Sequence, residues 1–333
     1  MVRKCGLGFN FESSIMVFIR AFSQAVILLA ISFNVHSYAP EVGHKHIMPL
    51  SHMLLKECGH PAAGAYEDAD IKLITETSAQ MDTGQASTIF ETKHNPFSLW
   101  ARAKNWHFYN PEIPEGQKYL GYFQKSYIKV WEWLKYGYNN APLKEDRLTY
   151  LGGMAHFIED MANPAHIIPV FHAIGIKDGI DDFEPDYQTI KGRITDQSLC
   201  NSITSEPVLP EPIDVRDWLI GQTMSELDNG PQDCPSIKWG EFFDLPERKD
   251  FFGRFHENPD HKRAGFFGSL FKSRTFYISD TGLFVSNIDS SHTCQIDDKN
   301  FYQGFIDQLF KNAIVADAKL LIGQAQYFIR DFK

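Results

Sequence analysis

The chain has 333 residues, of which 43% are hydrophobic, 22% charged and 14% aromatic, and its formal charge is −10. That supplies enough apolar material for a sizeable core and argues against a disordered tail protein. The acidic balance argues against a coat protein that holds nucleic acid on a basic surface, and the single long apolar stretch, near the start, excludes a multi-span membrane protein.

That first stretch has the layout of a secretory signal. Arg20 supplies the positive end, residues 21–35 are largely apolar, and the small or polar His36, Ser37, Tyr38 and Ala39 follow. The run is shorter than the roughly 20 apolar residues a membrane-spanning helix needs. Met16 reads as the true start and Ser37 as the last residue removed, so 1–37 is a signal peptide and the mature chain, 38–333, is expected to be secreted or periplasmic. Cleavage leaves 29 basic and 41 acidic residues, a charge of −12. Four cysteines remain, Cys58, Cys200, Cys234 and Cys294. An even number in an exported chain predicts two disulfides in one of three pairings.

Residues 41–75 predict two helices separated by a break at Gly59 and Pro61. Polar, turn-rich sequence follows from 76 to 115. Between 118 and 137, Tyr119, Phe123, Tyr127, Val130, Trp131 and Leu134 recur at three- and four-residue steps, which predicts a long amphipathic helix. Leu148, Leu151, Met154, Phe157, Ile158 and Met161 predict another over 145–163, stopped at Asn163-Pro164. Five prolines between 207 and 235 suggest a broken, loop-rich insertion over 190–300, with one β-like piece at 274–287. Phe305, Leu309, Ile314, Leu321 and their neighbours predict a closing helix over 301–331. The sum is a mainly α, single helical-bundle domain with a loop-rich, partly β insertion.

Chemistry concentrates in Gly153-Met-Ala-His156-Phe-Ile-Glu-Asp160-Met-Ala-Asn-Pro164-Ala-His166. Residues i and i+4 of a helix share a face, so His156 and Asp160 present an imidazole beside a carboxylate. Pro164 ends the helix and lets His166 swing back toward the same point. Two nitrogens and an oxygen meeting at a helix end suit Zn²⁺.

This H-x3-D-x5-H pattern, with proline two before the last histidine, resembles the signature of zinc-dependent phospholipases C and their relatives, the zinc-dependent single-strand nucleases. Trp106-His107-Phe108-Tyr109-Asn110-Pro111-Glu112 resembles a family stretch whose histidine binds zinc, and Ala65-Tyr66-Glu67-Asp68 one that carries an early zinc-binding aspartate. The resemblance implies that Asp68, His107, His156 and Asp160 hold one zinc, with Asp160 bridging to another. It further implies that His166 begins a second site, which Asp181 and Glu184 complete, with His172 as a rival ligand. A third zinc would take the mature N-terminus, near Tyr38, and either His44 or His52, with His44 preferred because Gly43 precedes it as in the nucleases. His46 reads as a solvated neighbour.

Two to three Zn²⁺ ions and Asp68 as the group that orients or deprotonates water would make the chain a phosphodiester hydrolase. The first expectation is a phospholipase C releasing phosphocholine from phosphatidylcholine, with Tyr66, Trp106, Phe108 and Tyr109 caging the headgroup. It would touch membranes peripherally, act as a monomer and keep no stable nucleic-acid partner. A single-strand nuclease or nucleotidase, or a non-catalytic secreted zinc-binding protein, are the alternatives.

Overall fold

A computed structural model describes residues 43–81, 109, 120–167, 170–171, 185–205, 207–230, 238–239, 253–254, 263–268, 273–279, 282–287, 290–296 and 300–332. The described residues are mainly helical. The signal segment 1–37, Tyr38, Trp106, His107, Phe108, His172, Asp181 and Glu184 lie outside them.

The apolar periodicities become helices close to where the sequence puts them. Helix α1 spans His44–Glu57 and ends at Gly59, whose φ of 65° is the left-handed conformation that glycine takes without a Cβ clash. A 3-10 turn, Pro61–Ala65, leads into α2, Asp68–Met81. Helix α3 covers Leu120–Asn140 and α4 covers Lys144–Asp160, followed by a one-turn α5, Pro164–Ile167. Helices α6 (Tyr187–Gly192), α7 (Gln197–Thr204) and α8 (Pro212–Leu227) come next.

The 190–300 region departs from its loop-rich expectation here, since α7 and α8 occupy its first third. Pro212 sits in the first turn of α8, where its missing N–H costs no hydrogen bond, so it opens a helix instead of breaking one. Two short strands, β1 (Val170–Phe171) and β2 (Gly253–Arg254), pair in parallel. Strands β3 (Arg263–Gly268), β4 (Ser273–Ser279), β5 (Gly282–Asn287) and β6 (Ser290–Ile296) form an antiparallel meander. The β-like piece at 274–287 is therefore two paired strands, with Tyr277 opposite Phe284.

The last helix, α9 (Asn300–Phe332), is the axis of the bundle. Residues 312–325 are buried all round its circumference, Asn312, Asp317, Lys319 and Gln324 among them, and it packs on α1, α4 and α8. Core side chains include Ile47, Leu54, Ile74, Trp131, Leu151, Phe157, Leu219, Phe310, Ile314 and Leu321. Cys58, just after α1, is bridged to Cys200 on α7, with Cα atoms 5.5 Å apart. This is one of the pairs open to the mature chain. Among the described residues, no helix is long and apolar enough to cross a membrane.

Candidate metal centre

Helix α4 carries His156, Glu159 and Asp160 at positions i, i+3 and i+4, which a 3.6-residue turn places on one face. That face looks into the bundle, and all three side chains are fully buried. His156 Nε2 lies 3.4 Å from Asp160 Oδ2. Opposite them stands His44, the first residue of α1, with its Nε2 3.5 Å from Asp160 Oδ1 and its ring centre 4.3 Å from that of His156. Ligand atoms of His44, His156 and Asp160 lie within 4.8 Å of one another, so the group could hold a metal ion.

The surroundings fit a cation. Glu159 Oε2 meets His44 Nδ1 and also accepts a 2.7 Å hydrogen bond from Ser78 Oγ on α2. Asp317, from the buried stretch of α9, is close enough that Glu159's charge adds to burial in pushing its carboxyl up. A hydrogen bond with Glu159 raises it further, so the two acids pair in the interior. Three carboxyl groups therefore share a dry interior with two imidazoles. A carboxylate that stays ionised there is costly unless a cation offsets it, and two imidazole nitrogens with a carboxylate oxygen make a borderline-soft donor set of the kind divalent transition metals take. No protein-family model, curated protein or solved structure matches this chain.

Of the expected ligands, the structure brings together His44, His156 and Asp160. His44 and not His52 lies in that group, and the His52 Nε2 is 3.2 Å from the Ala63 carbonyl and braces the 3-10 turn. His46 is exposed and its ring lies tilted against that of Tyr187, outside the cluster. His166 is buried on α5, its carbonyl accepting the Tyr109 N–H at 2.9 Å, and it is not one of the clustered three.

Asp68 requires correction. It opens α2 with its side chain 89% exposed and ion-paired to Lys56 Nζ at 2.9 Å. The Lys56 hydrogen bond and charge hold its carboxyl below the usual range, which makes it a weaker base. The buried acid nearby is Asp70, which accepts the Glu67 N–H and the Lys144 ammonium and so ties the starts of α2 and α4 together.

Tyr66 is likewise a core residue and not a headgroup contact. Its hydroxyl donates to the Leu321 carbonyl at 2.9 Å and its ring packs on Phe328. Tyr109 stacks on Tyr127 and carries the Arg216 guanidinium 4.1 Å from its ring centre. The cation at its face is thus the protein's own.

Glu159, Ser78 and Asp317 were not singled out by the motif. Glu159 had a signal, its i+3 spacing from His156. Asp317 had another, as an acid within the otherwise apolar run Ala313-Ile-Val-Ala-Asp317-Ala.

Proposed function

We propose that the chain is a secreted, zinc-dependent phosphodiester hydrolase whose first substrate is a phosphatidylcholine-type phospholipid. The observation that carries this reading is the meeting of His44, His156 and Asp160, from two helices more than a hundred residues apart in sequence, in one buried group able to hold a metal ion. Bound zinc would supply a Lewis acid and a water that ionises near neutral pH.

The chain's own part is to present the donors. The imidazole nitrogens of His44 and His156 and both oxygens of Asp160 converge, and the low-dielectric surroundings strengthen every charge interaction among them. In this reading His166, Asp181 and Glu184 supply a further metal position, and His107 joins the first. With Asp68 at the surface, the water-orienting role falls to no described carboxylate outside the cluster. The acidic surface supports a zwitterionic lipid over an anionic one, because like charges repel at a bilayer.

A second reading, a non-catalytic metal protein, is favoured by the complete burial of the three ligands. The purified mature protein, assayed on phosphatidylcholine vesicles and on single-stranded DNA with and without chelator, separates the possibilities. Release of phosphocholine that stops on chelation is the expected result. DNA cleavage would move the substrate to nucleic acid, and bound zinc with neither activity would establish the non-catalytic reading.

A further inference from the structure

We infer that Glu159 is a positioning residue that fixes which nitrogen of His44 faces the metal. The inference rests on the reading of His44, His156 and Asp160 as a metal centre.

An imidazole binds a metal through one nitrogen, and the partner of the other decides which one it is. His44 Nε2 is the atom that faces Asp160 Oδ1, at 3.5 Å, while Nδ1 meets Glu159 Oε2. A carboxylate accepts, and Glu159 makes the nearer contact, so with a cation between Nε2 and Asp160 the proton would stay on Nδ1 and the Nε2 lone pair would be the donor. Glu159 is in turn held from outside. Ser78 Oγ donates to the same oxygen at 2.7 Å, which ties the orienting carboxylate to α2. His44, Glu159 and Ser78 are all buried, so water does not compete for these bonds. Helix α4 therefore does two jobs with adjacent residues, since Asp160 offers a ligand and Glu159 aligns a ligand carried by α1. Glu159 touches no reacting atom in this arrangement and acts through His44.

The test uses the full mature chain stripped of metal and titrated with zinc against a chromophoric chelator. Glu159→Ala should bind zinc about 10–100-fold more weakly than the unaltered protein. Glu159→Gln, whose amide oxygen can still accept from Nδ1–H, should recover part of that loss. Glu159→Ala with unchanged affinity, in a protein whose unaltered form does bind zinc, overturns the inference and leaves the metal centre standing. Failure of the unaltered protein to bind zinc overturns both.

Should the alanine variant not fold, long-range ¹H–¹⁵N spectra of the zinc-loaded unaltered protein decide the matter. The expected pattern is a protonated His44 Nδ1 with Nε2 on the metal, and the reverse pattern overturns the inference. A residue that merely supported packing would leave this tautomer signature unspecified.

Discussion

Tyr66 shows how one side chain can be read two ways from sequence and only one way in three dimensions. Next to a presumed ligand it suggests a headgroup contact, yet its hydroxyl is spent on the Leu321 carbonyl inside the core. Tyr66→Phe should therefore cost about 1 kcal/mol of stability, measured by urea unfolding, through one lost hydrogen bond. Under the proposed phospholipase activity it should leave the KM for phosphatidylcholine unchanged, and a raised KM would return Tyr66 to the substrate site. His52 gives a second residue-scale prediction. Burial is the main cause holding its folded-state pKa below the ordinary value, with Lys56 adding to it. The unfolded chain then takes up a proton that the folded ring resists. The associated stability is full above the unfolded pKa of about 6.5 and is lost as pH falls through the folded value. His46 and His60 shift in the same direction, so His52→Gln should flatten the acid-side loss without abolishing it. Urea midpoints of the metal-free protein at pH 7.5 and 5.5 measure this, and an unchanged slope in the variant would remove His52 from the account.

At the level of elements, hydrophobic periodicity marked α3, α4 and α9 to within a few residues, because their large apolar side chains recur at three- and four-residue steps. Proline was the weaker guide. Pro212 was read as a breaker, and whether a proline breaks or begins a helix depends on which turn it occupies. Nor does periodicity report how closely two helices approach, and for α2 and α4 this is set by Gly152. A Cβ there would lie 2.7 Å from both the Ile74 carbonyl oxygen and Thr77 Cβ. Gly152→Ala must therefore push α2 away, and an overpacking cost of roughly 1–3 kcal/mol is expected in thermal or urea unfolding. The same displacement would draw Ser78 from Glu159, so zinc affinity should fall alongside stability. Unaltered stability in this variant would mean that α2 can move without cost and that the crossing is not set by the glycine.

Over the whole molecule, the site was legible where its residues share a helix and obscure where they do not. His156 and Asp160 follow from i, i+4 geometry, whereas Asp68 was placed by likeness to a motif and turned out to stand at the surface with Lys56. Sequence spacing could not say that α9 would lay Asp317 beside Glu159, because that contact joins residues 158 apart through the packing of the bundle. The cluster consequently ties α1 and α4 to each other, with α2 and α9 against its outer edge, so an ion held there would be coupled to global stability. A ion that binds only the folded chain adds about 2.7 kcal/mol at a free concentration of 100 Kd. For a domain of this size, that is a rise in melting temperature of about 4 °C. Chelator-treated protein should therefore melt lower than zinc-loaded protein and regain the difference when zinc is restored. His156→Asn, which removes one donor from the group, should regain clearly less of the difference than the unaltered protein does. If the unaltered protein is indifferent to zinc, or if His156→Asn responds to it as fully, then the three side chains converge for a reason other than holding an ion.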